Sequence, residues 1–248
     1  MRLLATALGL SLLGSFGGLV VASSLLLFNE SIRRRIVPWL VSYAVGALLG
    51  VALLELLPEA LTELAPTPVF ATLLAGILAF FILEKLVLFR HCHTDNCEVH
   101  DAAATLVLIG DAFHNFVDGA IIAAAVITSV PLGINTAIAV AAHEIPQEVG
   151  DTAILLASGY SRGRALLLNV VSGASGLLGA VAAFSAVSAV PGVRPYVLAF
   201  SSASLLYIAM SDLIPNLHRG QLDTSAVRQV VLLCAGIATI VLFDWLIA

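Results

Sequence analysis

Long apolar segments, each about as long as a membrane-spanning helix, fill almost the whole chain. A helix needs about 20 mostly apolar residues to cross a bilayer, and short stretches with turn or charge signals separate eight such segments. The segments lie at roughly 3–28, 36–60, 68–89, 101–128, 132–157, 163–189, 195–217 and 226–247. The break between the fourth and fifth is expected at Pro131-Leu132-Gly133. The pattern predicts an all-α integral membrane protein with eight transmembrane helices.

The composition agrees with a single transmembrane domain over residues 1–248. Hydrophobic residues make up 60% of the chain, charged residues only 11%, and the mean hydropathy is +1.06. Soluble domains carry about 25% charged residues. No stretch is left over for a soluble domain, and the expected partner is the lipid bilayer, not nucleic acid.

The basic residues predict the orientation of the chain. Nine of the eleven Lys and Arg residues fall in or beside the odd-numbered loops, and cytoplasmic loops are enriched in Lys and Arg. We therefore expect a multi-pass protein of the cell or inner membrane with both termini extracytoplasmic. The first segment could instead be a cleaved signal peptide. Its apolar run of some 26 residues exceeds the 7–15 of a signal core, which favours a retained helix.

Polar side chains interrupt the fourth and fifth segments. The fourth contains HNFVDG from His114 to Gly119, and the fifth contains HEIPQEVGD from His143 to Asp151. Ionised side chains at the bilayer centre cost roughly 2.5–3.5 kcal/mol each on insertion scales. Because imidazole, carboxylate and amide groups are all metal ligands, a divalent ion is the natural partner that offsets this cost.

Helical spacing gathers these groups on single faces. The first face is formed by Asp111, His114, Asn115 and Asp118, and the second motif pairs His143 with Gln147 and Glu144 with Glu148 and Asp151. Pro146 lies in mid-helix and removes one backbone donor. One buried polar residue is more often a satisfied interhelical hydrogen bond than a ligand. Two clustered sets at matching depth favour a metal pathway over such structural packing.

Other segments carry isolated polar residues. Glu55 precedes Pro58 in the second segment, and Asp212 precedes Pro215 at the same spacing in the seventh. This echo suggests inverted repeats of three helices on either side of a central pair, a 3+2+3 arrangement found in transporters. Asn169 in the sixth segment is either a ligand or a helix-packing amide.

The third loop, at about residues 90–100, is rich in histidine and cysteine. Its soft and borderline ligands could bind zinc transiently, as a site that acquires or senses metal. The spacing is not that of a zinc finger, and a solvated polar loop is the alternative. The residues concerned are His91, Cys92, His93, Cys97 and His100.

The two motifs resemble those of the ZIP family of divalent-metal transporters, in its LIV-1-like branch. That branch carries HNFxDG in its fourth helix and HExPHExGD in its fifth. HNFVDG agrees at every defined position, whereas Gln147 stands where the branch usually has His. The resemblance covers the whole chain and implies eight helices in a three-two-three arrangement, extracytoplasmic termini and a homodimer.

The same resemblance implies a binuclear metal site between the fourth and fifth helices. The main transport site would be lined by His114, Asp118, His143 and Gln147, and the neighbouring one by Asn115, Glu144 and Asn169. Glu148 and Asp151 match the motif, with Glu148 as a further candidate ligand, and Glu55 would guide ions to or from the site. Independently of the resemblance, helical spacing and the echo in the seventh segment make Asp111, Asp151 and Asp212 candidates that line the pathway. The transported ion would be Zn²⁺ or, more broadly, Fe²⁺, Mn²⁺ or Cd²⁺. The neutral Gln147 oxygen would shift selectivity toward harder ions.

These observations predict a transporter that takes up a divalent metal, and no catalytic residues. A membrane metal sensor without flux is the first alternative, and efflux is another. An intramembrane metalloprotease is a weaker one, since His143-Glu144 opens like the HExxH zinc signature. That signature needs a second His four residues after the first, where this chain has Gln147.

Overall fold

The chain is almost entirely helical, and the described residues contain no strand. The computed structural model describes residues 2–25, 27–28, 30–89, 99–190, 192–218 and 226–247. The helices are α1 (Arg2–Leu25), α2 (Glu30–Gly50), α3 (Leu57–Glu63), α4 (Pro66–Phe89), α5 (Val99–Thr128), α6 (Val130–Ala157), α7 (Arg162–Gly173), α8 (Ser175–Ala189), α9 (Arg194–Tyr207), α10 (Ile214–His218) and α11 (Ala226–Ile247). Two π-helical turns, π1 (Val51–Leu56) and π2 (Ile208–Leu213), continue α2 into α3 and α9 into α10.

Seven helical stretches in the described part of the chain are long and apolar enough to cross a membrane. They are Arg2–Leu25, Arg35–Glu63, Pro66–Lys85, Leu108–Thr128, Arg162–Ala189, Arg194–Leu213 and Ala226–Phe243. Each corresponds to a predicted segment, so the helical membrane architecture is confirmed. The predicted segment at 132–157 also forms a helix, α6, but the mean hydropathy of this helix is too low for it to be counted with the other seven. Glu144, Glu148 and Asp151 lower its mean hydropathy.

The turn between α5 and α6 is shorter than the sequence suggests. We expected the break at Pro131-Leu132-Gly133, but all three residues belong to α6. The turn consists of Ser129, whose side chain accepts a hydrogen bond from the Leu132 backbone N–H at 3.2 Å. Proline is well tolerated in the first turn of a helix, because the backbone N–H it lacks would have no partner there. Pro131 therefore fits in the first turn of α6, and α5 and α6 form a tight helical hairpin.

Packing divides the helices into two groups. The first, the site-bearing group, consists of α1, α5, α6, α7 and α8, in which α5 packs most closely on α8 and α1 on α6. The second, the π-helical group, consists of α2 to α4 and α9 to α11, in which α2 packs on α11 and α4 on α9. The groups meet mainly where α2 contacts α6 and where α5 contacts α9.

Glycines allow the closest helix pair in each group to touch backbone to backbone. Gly179 of α8 lies against the Phe116 backbone of α5, and Gly176 against the Asn115 carbonyl oxygen. In the π-helical group, Gly236 of α11 lies against the backbone of α2. Small residues are the usual means of close helix approach in membranes. Each group is therefore built around one tightly packed pair.

The two π-helical turns occupy equivalent places. Glu55 is the fifth residue of π1 and precedes Pro58 by three residues, and Asp212 stands in the same relation to Pro215 in π2. Single π turns inside α-helices occur frequently at functional sites. The short sequence echo between these segments is thus accompanied by the same local distortion of the backbone.

Candidate metal centre

Four side chains of the α5–α6 hairpin converge at one point. They are His114 and Asp118 of α5 and His143 and Glu144 of α6, and one ligand atom from each lies within 4.8 Å of all the others. Residues 114 and 118 are one helical turn apart and share a face. All but the partly exposed His114 are fully buried.

The His143 ring is at the centre of this cluster. Its Nε2 lies 3.0 Å from His114 Nε2, 3.1 Å from Asp118 Oδ2 and 3.8 Å from Glu144 Oε1. His114 Nε2 lies 3.4 Å from Asp118 Oδ2 and 3.7 Å from Glu144 Oε1. In a tetrahedral zinc site with bonds of about 2.0–2.2 Å, neighbouring ligand atoms are about 3.3–3.6 Å apart. The observed separations bracket that range.

A backbone contact fixes which nitrogen of His143 faces the cluster. Nδ1 lies 3.1 Å from the carbonyl oxygen of Ala139, one turn earlier in α6. Because a carbonyl oxygen only accepts hydrogen bonds, Nδ1 carries the hydrogen and donates it. In the neutral ring, Nε2 then presents its lone pair to the cluster. This arrangement is the usual outer contact of a metal-binding histidine.

The cluster is rich in acceptors and poor in donors. Both carboxylate oxygens of Glu144 and the Oδ1 of Asp118 are buried and accept no hydrogen bond from the described residues. Buried polar oxygens without a donor are costly. Two carboxylates and two imidazole nitrogens therefore form a cluster that could hold a cation.

A second polar set follows the cluster toward the start of α5 and the end of α6. Asp111 Oδ1 accepts hydrogen bonds from Asn115 Nδ2 at 2.9 Å and from Gln147 Nε2 at 3.3 Å. Asn169 of α7 donates from Nδ2 to Thr152 Oγ1 at 2.9 Å. Four buried oxygens of this set accept no hydrogen bond from the described residues: Asp111 Oδ2, Asn115 Oδ1, Glu148 Oε2 and Asn169 Oδ1. Three helices thus contribute oxygen atoms beside the cluster.

A cleft opens at the other end of the hairpin. It has a volume of about 280 Å³ and lies between π1, α3 and the turn at Ser129. Glu55 lines it, and Glu55 Oε1 accepts a hydrogen bond of 2.6 Å from Nδ2 of the buried Asn135. Asn135 precedes His143 by eight residues, about 12 Å along the helix. The contact connects the site-bearing group to the π-helical group.

Sequence reasoning missed Asn135. It is a single amide in an apolar stretch, outside both motifs, and its spacing to them gives no signal. Only the position of π1 beside α6 brings it to Glu55.

We expect Asn135→Leu to lower the thermal stability of the protein, because the half-buried Glu55 carboxylate would lose a charge-assisted donor, worth at most about 1.5–3 kcal/mol. The double variant Glu55→Leu/Asn135→Leu should recover part of the loss, since replacing both partners by apolar groups leaves no unpaired charge. Thermal unfolding in detergent checks both. A double variant that is less stable than either single variant would contradict the pairing.

Of the remaining predicted residues, some have described positions outside the cluster and others lie outside the described residues. Asp151 is half-buried on α6, and Asp212 is exposed in π2. The loop residues His91, Cys92, His93 and Cys97 lie outside the described residues, as does the side chain of His100 in the first turn of α5. The structure brings Glu144, assigned by resemblance to the neighbouring site, to the two imidazoles, and it places the Gln147 amide nitrogen against Asp111.

Comparison of the sequence with known proteins shows which of them this chain resembles. The family profile described as "ZIP Zinc transporter" matches residues 89–244, which include the whole candidate centre. Zinc transporter ZIP13 of Pongo abelii is 36% identical over 222 residues, covering 83% of this chain and 66% of the relative. The human protein of that name is 32% identical over 259 residues, covering 83% and 70%.

A shorter match is zinc transporter ZIP4 of Mus musculus, 40% identical over 110 residues, which cover 44% of this chain and 16% of the relative. The chain spans about two thirds of the length of the ZIP13 proteins. The profile covers more than half of the chain, and the human relative is matched over more than two thirds of its length. The chain therefore belongs to the ZIP family of zinc transporters.

Proposed function

We propose that this protein carries a divalent transition metal, with Zn²⁺ as the main substrate, across the membrane toward the cytoplasm. The observation that carries the proposal is the convergence of His114, Asp118, His143 and Glu144 inside an apolar helical bundle. Mixed imidazole and carboxylate ligands suit Zn²⁺, and they also accept Fe²⁺, Mn²⁺ and Cd²⁺. Membership of a family of zinc transporters supports a transporter rather than an enzyme.

The polar groups outline a path through the bundle. An ion would enter from the extracytoplasmic side through the cleft beside Glu55, reach the cluster, and leave along the oxygen atoms of Asp111, Glu148 and Asp151. The cleft and the second polar set lie toward opposite ends of the α5–α6 hairpin, which supports this order. The histidine- and cysteine-rich loop at about 90–100 would receive the ion or report its level.

The centre is proposed to be binuclear. Asn115, Glu144 and Asn169 would form the site next to the main one, and Glu144 would be shared between them. Support comes from the buried Asn115 Oδ1 and Asn169 Oδ1, which accept no hydrogen bond within the described part of the chain. Gln147 would offer its amide oxygen, a harder and weaker ligand than the imidazole of relatives.

We propose eight spans in the 3+2+3 arrangement, with α5 and α6 as the central pair and both termini extracytoplasmic. Under this arrangement the two π-helical turns are equivalent parts of inverted repeats, and their matching registers support it. Transport would involve a sliding or rocking of the site-bearing group against the π-helical group. The protein would act as a homodimer in the cell membrane.

The test is uptake of radioactive Zn²⁺ into proteoliposomes that contain the purified protein, with Fe²⁺, Mn²⁺ and Cd²⁺ as competitors. We expect saturable uptake well above that of protein-free liposomes. Competition by Mn²⁺ should be stronger than in a relative with His at the position of Gln147, because an amide oxygen favours harder ions. Binding of Zn²⁺ without any flux would overturn the proposal and favour the sensor.

A further inference from the structure

One carboxylate oxygen holds two amide groups that belong to different helices. Asp111 Oδ1 accepts from Asn115 Nδ2 at 2.9 Å within α5 and from Gln147 Nε2 at 3.3 Å across to α6. The Asp111 backbone carbonyl oxygen also accepts from Asn115 Nδ2, at 3.2 Å, so the orientation of Gln147 depends on the Asp111 side chain more than that of Asn115 does. Asp111 itself is 4% exposed and Asn115 is fully buried. The pair of contacts lies directly beside the cluster, since Asn115 follows His114.

The chemistry of the carboxylate determines how these amides are oriented. A carboxyl oxygen that carries no proton only accepts hydrogen bonds, so Oδ1 requires each amide to turn its NH₂ toward Asp111. The carbonyl oxygen of each amide then points away from Asp111. For Asn115, this oxygen is buried and accepts no hydrogen bond in the described part of the chain. A reversed amide would place two acceptors against each other and direct N–H groups at an incoming cation.

We propose that Asp111 is a positioning residue for ion selectivity, which holds Asn115 and Gln147 so that their oxygens, not their nitrogens, are presented to the ion. The inference rests on the proposed transport of divalent ions at this centre. It explains how Gln147, a flexible neutral side chain, serves in place of histidine: its orientation comes from Asp111. The preference for harder ions then depends on Asp111 although Asp111 acts through its neighbours.

The experiment measures both uptake and equilibrium binding of Zn²⁺, Mn²⁺ and Cd²⁺ for the wild type, Asp111→Leu, Asp111→Ala and Asp111→Asn. Leucine and alanine remove the acceptor, whereas asparagine keeps an oxygen that can accept from both amides. We expect the KM and Kd for Zn²⁺ to rise roughly tenfold in the first two variants and less than about threefold in the third. Maximal uptake should change far less than KM.

The order in which the ions lose affinity distinguishes a positioning role of Asp111 from a merely structural one. Loss of amide oxygens should weaken the binding of Mn²⁺ more than that of Cd²⁺, because Mn²⁺ prefers oxygen ligands and Cd²⁺ is softer. A folding defect would instead lower maximal uptake for all ions with an unchanged KM. Thr136→Val is the matched control: its buried hydroxyl donates only to the Leu132 carbonyl oxygen of its own helix, at 2.7 Å, and it should behave as the wild type.

A double-mutant cycle with Gln147→Ala completes the test. Once Gln147 lacks its amide, Asp111→Leu should raise the Kd for Zn²⁺ less than it does in the wild type. The proposal is overturned if the two effects are additive. It is also overturned if Asp111→Asn loses as much affinity as Asp111→Leu, because the charge of Asp111, and not its acceptor oxygen, would then determine the affinity of the centre. Absence of uptake by the wild type would refute transport alone, since the binding measurements still decide the role of Asp111.

Discussion

Replacement of His143 by alanine is expected to abolish most saturable uptake while the helical fold persists. His143 Nε2 is within 3.8 Å of the other three ligand atoms of the cluster, so its removal takes away the central ligand. Loss of a residue that only hydrogen-bonds to a metal ligand usually lowers metal affinity 10–100-fold. Loss of a ligand itself should lower it at least about as much. Uptake into proteoliposomes and circular dichroism measure the two parts of this expectation.

The control for His143→Ala is Ser202→Ala. Ser202 is also fully buried, but its hydroxyl donates to the Leu198 carbonyl oxygen of its own helix, α9, at 3.0 Å and not to a ligand atom. It should transport as the wild type does. The double variant His114→Ala/His143→Ala removes both imidazoles, and normal flux in that protein would refute the assignment of the site.

The second large effect is expected from Gly179→Val. A Cβ atom at Gly179 would lie 2.7 Å from the carbonyl carbon of Phe116 and 3.1 Å from its Cα, both backbone atoms that cannot turn aside. Overpacking typically costs 1–3 kcal/mol, and here it pushes on the turn of α5 that carries His114 and Asp118. We expect lower thermal stability together with weaker Zn²⁺ binding, and Gly179→Ala should show a smaller loss of both.

Gly110→Ala provides the comparison on α5 itself. A Cβ atom there meets nothing within 4 Å, and alanine is the better helix former by about 1 kcal/mol. This variant should be as stable as the wild type or slightly more so. A Gly179→Val protein with wild-type unfolding temperature and Zn²⁺ affinity would show that α5 and α8 do not need their backbone contact.

The sequence was sufficient to predict the helical membrane architecture and the family, both confirmed. Helical spacing and a short connection also indicated that the polar faces of α5 and α6 would meet. Spacing could not tell which side chains of these faces would come closest together, because that depends on the rotation of α6. The rotation is set by tertiary packing, in which Gly18 of α1 lies against Glu144.

Other features had no local signal. The π-helical turns arise from a change of hydrogen-bond register, and the sequence shows only a proline three residues after Glu55 or Asp212. Asn135 gains its partner from a helix 80 positions away along the chain. The position of Pro131 was misjudged because proline ends one helix or begins the next equally well, and the choice depended on the cap at Ser129.

The hairpin closed by Ser129 also bears on how α5 and α6 enter the membrane. At roughly 2.5–3.5 kcal/mol for each ionised side chain at mid-bilayer, the three acids of α6 would oppose its insertion as a lone segment. A one-residue connection holds α6 close to α5, whose His114 lies 3.7 Å from Glu144, one of those acids. We therefore expect the translocon to insert α5 and α6 as one unit, so that these polar side chains meet each other before they meet lipid. Insertion of the pair would then depend on the same contacts that are proposed to hold the ion.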